Sequence, residues 1–371
     1  MAVRALTSTS SFKYTSRSNR DPLPQDLYQQ VVVPGPGLRL LTFDDGGVRG
    51  LTMLLLLRAI MHHIQQANHE PTLPLPCEYF DMIAGSGTGG FIALLLGRLR
   101  LSIEHAIECY TRVVNHVFVQ TKGDGTFRAT PLEKVLREIS HRFGDGEDTP
   151  ILDSNSFPCR TFVCIREAVG SSNAIHRKLR TYAHPTEPGA RCTFLEAVRA
   201  TMGNPTFFKP PAVSRSKSPT TLLDAGDDHC NPVFDLYEES QFLYPSRHFA
   251  YLLSLGPGTA DTVGVNPSRA FVNQPRLPSL TLSALRRLAD NCDRIATSFR
   301  EQHSGEFDGN YFRMTPAPSS YDGKLRWEEP EALQEFIAPY FASIYQQVCI
   351  LVVAMMNELA LVMASGNRRN R

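Results

Sequence analysis

Two stretches of this chain repeat one plan. LRLLTF runs into DDGGVRG (residues 44–50) and then into LTMLLLLRAIMHHIQQANH, while YFDMIA runs into GSGTGG (85–90) and then into FIALLLGRL. In each, an apolar run of strand length delivers a glycine-rich loop onto a helix-like run. A strand with no polar alternation is buried on both faces, as in a parallel sheet, and parallel neighbours require helical crossovers. The repeat predicts an α/β fold with a mostly parallel central sheet.

The rest of the chain extends the pattern. LSIEHAIECYTRVVNHVF has apolar residues at helical spacing. TPLEKVLREISHRF reads as a helix capped by Thr130 with Glu133 three residues on, and TFLEAVRATM as one capped by Thr193 with Glu196. RTFVCIREA, HRKLRTY, TTLLDAG and HFAYLLSLGPG read as strands. Residues 1–36 read as a flexible N-terminal tail without the apolar core of a secretory signal. Residues 37–275 hold the α/β pattern, and 276–371 read as a mainly helical extension, packed on the domain, with NYFRM as a short strand. Val348 to Ala364 is the most apolar stretch. It contains Asn357 and Glu358, which favours a closing core helix over a membrane span. The following NRRNR leaves a membrane-facing helix open as well.

Composition narrows the function. A net charge of +1 over 371 residues lacks the footprint of a nucleic-acid binder. The eight cysteines are scattered with no CxxC pair, so neither a zinc site nor a disulfide framework is signalled. Buried thiols fit a reducing, cytoplasmic setting.

Three loops carry candidate chemistry. In DDGGVRG a glycine pair meets a helix N-terminus, where unpaired backbone N–H groups suit an anion; a tight turn explains the same residues equally well. It lacks the GK[ST] of a phosphate-binding P-loop and the spacing of a dinucleotide fingerprint. GSGTGG has the setting of a nucleophile elbow, but the position of the attacking residue is Gly87. In LLDAGDDHCNP, Asp224 stands at a strand end as a candidate general base. Asp227, Asp228 and His229 are adjacent and cannot all converge on one ion, so no metal site is expected.

Taken together, the three loops resemble the patatin-like phospholipase family, whose marks are a DGGGxRG loop, a GTSTGG-type elbow and a later DGG or DGA motif. The connecting segments YFDMIAG, FLEAVRATMGNPTFFKP and LLSLGPGTA resemble the family's too, and the similarity covers roughly residues 38–259. The resemblance implies a three-layer α/β/α fold with a C-terminal helical extension and a Ser–Asp dyad that hydrolyses a lipid acyl ester without metal or organic cofactor. Carried over, Gly46, Gly47 and Arg49 fall at the oxyanion loop, Asp224 at the general base, and Gly85, Gly89 and Gly226 at motif glycines. Gly87 falls where the serine belongs. The implied partner is a phospholipid or acylglycerol, met in transient contact with a membrane surface; the implied location is cytoplasmic or peripheral to membranes. Oligomeric state is left open.

Three departures stand against turnover. Gly87 offers no nucleophile, a loss on the order of 10⁴- to 10⁶-fold in rate. Asp45 replaces the first glycine of the oxyanion triplet and brings a negative charge. DDHCNP replaces the usual turn after the aspartate. Ser86 and Thr88 flank the vacant position but sit off the apex of the turn. With several loops altered, natural divergence explains Gly87 better than a single edit. The reading is therefore a lipid acyl hydrolase by ancestry, impaired or inactive, with a lipid-binding or protein-interaction pseudoenzyme as the alternative.

Overall fold

A computed structural model describes residues 36–118, 121–154, 159–169, 173–187, 191–213, 220–263, 279–317 and 330–369. The expected tail lies outside the described residues, apart from Pro36. The described residues form one compact unit.

Strand β1 (Leu38–Phe43) is buried along its whole length, including Thr42 and Arg39, whose guanidinium donates to the Asp81 carboxylate. A short 3₁₀ turn (Gly47–Gly50) leads into helix α1 (Leu51–Asn68). After a one-turn helix (Pro76–Tyr79), β2 (Met82–Ser86) leads directly into α2 (Gly87–Ala93), which ends in a π-turn. Helices α3 (Ile103–Val117) and α4 (Ala129–Phe143) follow. Next come β3 (Arg160–Val169), β4 (Ile175–Arg180), α5 (Phe194–Thr201), β5 (Ala212–Val213), β6 (Thr220–Leu223), α6 (Val233–Leu243) and β7 (Phe249–Leu255). The remainder is α7 (Ser279–Gln302), β8 (Tyr311–Met314), α8 (Pro330–Ser343) and α9 (Tyr345–Arg369).

The sheet order is β5-β6-β3-β2-β1-β7-β8, with β4 also paired to β3. The pairs β3–β2, β2–β1, β1–β7 and β7–β8 are parallel; β4 and β6 run antiparallel to β3, and β5 antiparallel to β6. This is the expected patatin-like α/β/α architecture with a helical C-terminal region. Phe43 pairs with Gly85, so the two glycine loops leave adjacent strands at the same sheet edge. That edge is where open parallel sheets place their sites.

Two local expectations change and one is met. Helix α4 starts one residue before Thr130, with Arg128 at its N-cap and no side-chain cap. Pro131 is then inside the first turn, where its missing N–H costs nothing. Thr193 does cap α5: its hydroxyl accepts from Glu196 N–H at 3.2 Å, and Glu196 Oε2 accepts from Thr193 N–H at 2.9 Å. Finally, α9 is not a fully enclosed core helix. Val348, Leu351 and Met355 are buried, but Ile350 and Val353 face outward.

Candidate active site

β2 delivers Gly87 at φ +54°, the left-handed region that L side chains rarely adopt. A sharp strand-to-helix turn of this kind is what lifts a nucleophile above a sheet. Gly85 and Gly89 make the turn possible by close approach: a Cβ on Gly85 would lie 2.6 Å from Gly90 Cα, and one on Gly89 2.7 Å from the Phe43 carbonyl carbon. The elbow backbone is thus formed around a missing side chain.

The space above Gly87 is taken. A Cβ built there overlaps the carboxyl carbon and both carboxylate oxygens of Asp45, where carbon atoms ordinarily stay about 3.5 Å or more apart. Asp45 Oδ1 accepts from Gly47 N–H at 3.3 Å, from Thr88 N–H at 3.2 Å and from the Thr88 hydroxyl at 3.3 Å. Gly46 N–H donates to the same hydroxyl at 3.2 Å. Of the expected oxyanion loop, the Gly47 N–H therefore holds this chain's own carboxylate, and the Gly46 N–H is taken by the Thr88 hydroxyl. Burial, with the nearby charge of Asp224, pushes the Asp45 carboxyl up to about 6.

Asp224 emerges from β6 and is nearly fully buried. Its Oδ1 accepts from Arg166 Nη2 at 3.2 Å and its Oδ2 from Asn204 Nδ2 at 2.8 Å. Burial raises its pKa against the opposing pull of Arg166. Gly226, at φ +73°, turns the chain just beyond it. A cavity of about 10 Å³ remains over the elbow, lined by Asp45, Gly87, Thr88, Asn204, Met202 and three phenylalanines among others. That is room for about one water. Phe118, Phe127 and Phe208 pack edge and face at 5.0–5.9 Å beside it.

Arg49 requires a correction. Its buried guanidinium points away from the oxyanion loop and donates to the carbonyls of Gly258 (2.9 Å) and Leu285 (3.3 Å) and to the Thr262 hydroxyl (3.2 Å). It ties the loop after β7 and helix α7 to the turn. Ser86 is no substitute nucleophile, since its buried hydroxyl donates to the His229 carbonyl at 2.5 Å. Thr88 remains at the site, its hydroxyl committed to Asp45 and Gly46.

Several residues that organise the site were not singled out from the sequence. Thr201 accepts Gly87 N–H at 3.0 Å, and Arg313 on β8 reaches Asp44 Oδ2 at 2.7 Å. Arg166 and Asn204 complete the set. The available signal was polar identity inside apolar text: an arginine within RTFVCIREA and another within NYFRM.

Asp227 and Asp228 turn outward to Arg287 (3.3 Å) and Arg294 (3.9 Å), apart from His229. Among the described residues one set, Cys164, His176 and Asp235, brings ligand atoms within 4.8 Å of one another. Its carboxylate is already bound by His176 Nε2 and His229 Nδ1, each at 2.8 Å, and Lys178 Nζ lies 3.9 Å away. Burial opposes the charged form of Asp235, yet the two histidine hydrogen bonds outweigh it and hold its pKa below the usual carboxylate range. This is a satisfied, cation-flanked carboxylate rather than an open ligand set.

A patatin-like phospholipase family model matches residues 41–233, just over half of the chain. The chain belongs to that family. Calcium-independent phospholipase A2-gamma of Oryctolagus cuniculus is 25% identical over 307 residues, covering 76% of this chain and 35% of that protein. The Homo sapiens protein of the same name is 25% identical over 311 residues, with the same coverage. Probable inactive patatin-like protein 9 of Arabidopsis thaliana is 25% identical over 262 residues, covering 62% of this chain and 63% of that protein. The chain thus spans about a third of the length of the phospholipase A2-gamma proteins it matches.

Proposed function

We propose that this chain is a patatin-like lipid acyl hydrolase domain that has lost turnover and works by binding. The observation that carries this is the Asp45 carboxylate, which fills the side-chain position of residue 87 and takes the Gly47 N–H that an oxyanion would need. The two losses support each other, because an oxyanion hole that holds a fixed carboxylate cannot stabilise developing charge on a substrate. The capture of Asp224 by Arg166 and Asn204 and the 10 Å³ cavity fit the same reading. One relative carries the name of a probable inactive protein. The ligand class that follows from the family is a phospholipid or acylglycerol, and the eight free cysteines fit a reducing, cytoplasmic setting.

Hydrolysis of a chromogenic short-chain acyl ester and of phospholipid vesicles tests this. The unmodified chain and Gly87→Ser alone should both be silent. Asp45→Gly with Gly87→Ser should gain turnover, which adding Asp224→Ala removes. Turnover by the unmodified chain at ordinary enzyme rates, about 1–10³ s⁻¹, would sink the proposal.

A further inference from the structure

Two histidines share one carboxylate beside the elbow. His176 comes from β4, His229 from the loop that follows Asp224, and Asp235 from the first turn of α6. The rings lie face to face, with centroids 3.6 Å apart and planes inclined by 8°. Each donates to a different oxygen of Asp235 at 2.8 Å. His176 is anchored in a strand paired to β3 along its length, whereas His229 is carried by a loop. That loop touches both halves of the site. The His229 carbonyl accepts the Ser86 hydroxyl at 2.5 Å, and the Cys230 carbonyl accepts the Asp45 N–H at 2.8 Å. The grip of Asp235 on His229 therefore fixes the chain against the elbow and against the turn that carries Asp45.

The arrangement takes one proton well and a second badly. With both rings neutral, each still has one N–H for Asp235. Burial opposes a charge on His229, but the Asp235 hydrogen bond and charge outweigh it and raise its pKa above the ordinary imidazole value. The first proton thus strengthens the pair; that gain is fully present below the ordinary value and is lost as pH rises past the raised one. A second proton belongs on His176 Nδ1, which is buried without a hydrogen-bond partner. It would create an unpaired buried donor and set two cationic rings 3.6 Å apart. The surroundings offer no relief. Lys178 Nζ already lies 3.9 Å from Asp235 Oδ1. Arg166, opposite His176 on β3, is a further cation, and the Cys164 thiol beside them is held neutral by burial. The other carboxylates are engaged: Glu239 by Arg180 at 2.5 Å, Asp224 by Arg166 at 3.2 Å, Asp227 by Arg287 at 3.3 Å and Asp228 by Arg294 at 3.9 Å.

We propose that the stacked His176 and His229 form an acid-released latch on the loop between Asp224 and Pro232. Near neutral pH the latch holds that loop against the elbow. When both rings are protonated, His229 leaves Asp235, because it sits on a loop and His176 on a paired strand. Its departure frees the Ser86 hydroxyl and the Asp45 N–H together, and the site loosens on its Asp224 side. As regulation of the binding site this rests on the function proposed above. The latch itself involves only the protein's own backbone and titratable groups, so it is measured without ligand or turnover.

The test is hydrogen exchange of the full chain at about pH 7.5 and about pH 5, the range over which imidazoles titrate, with rates corrected for the intrinsic effect of pH. In the unmodified chain, peptides spanning residues 224–232 and 84–90 should lose protection roughly tenfold or more at the lower pH, while β7 keeps its own. His176→Gln places an amide N–H where Nε2 stands but takes up no proton, so the loop should stay protected at both pH values. His229→Asn does the same for Nδ1 and gives a second reading if the first variant fails to fold. Asp235→Asn should cost the loop roughly tenfold in protection already at about pH 7.5, since the charge that holds both rings is gone. The proposal is overturned if the unmodified loop is equally protected at both pH values, or if the acid loss persists unchanged in the two amide variants. It is also overturned if Asp235→Asn leaves the loop protected, or if β7 loses protection in step with the loop, which would make the event global unfolding.

Discussion

The carboxylate of Asp45 stands where the side chain of residue 87 would begin. Residues 45 and 87 therefore cannot be changed independently. Gly87→Ala alone should destabilise the fold by about 2–4 kcal/mol, from overpacking against Asp45 and from a left-handed backbone. With Asp45→Gly present only the backbone part should remain, about 1–2 kcal/mol. Urea unfolding of the two single variants and the double variant measures the coupling; additive effects would mean that Asp45 moves aside freely.

Asp45 also makes stability depend on pH. Its folded pKa of about 6 lies above the ordinary carboxylate value of 3.8, so the folded state binds this proton more tightly than the unfolded one. Its contribution is most favourable below about pH 4 and is lost as pH rises to about 6. Asp45→Asn keeps an acceptor for Gly47 and Thr88 but no charge. It should stabilise the protein by up to about 3 kcal/mol at pH 8, and by much less near pH 4. Thermal unfolding of both forms across that range would contradict this if the gain were constant.

Arg313 holds Asp44 at 2.7 Å and Asp293 at 3.0 Å, with its own side chain and that of Asp44 almost wholly buried. Arg313→Met should cost about 3–5 kcal/mol because it leaves Asp44 charged and unpaired. Pairing it with Asp44→Asn should recover much of that loss. A double-mutant cycle by denaturant unfolding gives the coupling, and a value near zero would rule out the pair as a support for the first loop.

Thr193→Ala removes one half of the capping box at the start of α5, the helix whose Thr201 holds the Gly87 N–H. The expected loss is about 1 kcal/mol. Hydrogen exchange should locate the change in the first turn of α5; unchanged protection there would argue against the cap.

The parallel core was readable because β2 and β7 carry almost no polar side chain and β1 is apolar at four of its six positions with no polar alternation, a pattern that a sheet covered on both faces explains. The elbow was readable from its glycines, whose spacing reflects backbone approach rather than side-chain chemistry. What escaped the sequence depends on distance in space. Arg49 sits inside a motif and so suggested a role at the oxyanion loop, but the carbonyls that receive its guanidinium come from residues 258–285. Asp45 was legible as an added charge near an anion site. Its position over Gly87 was not, since no local pattern connects residues 42 positions apart. The cap at Thr193 and the absent one at Thr130 share the same four-residue signature; Pro131 drew the second helix back by a residue.

The parallel pairing of β7 with β1, and of β8 with β7, bears on how this protein can be divided. The family match ends at residue 233, before either strand. A fragment cut there would strip one side of β1 and leave a fully buried apolar strand as a raw edge, ready to pair with its neighbours in solution. It would also leave Asp44 without its counter-charge. The smallest unit that can be expressed as a soluble piece therefore reaches at least Met314, and any transplant of this domain into another protein must carry that late strand with it.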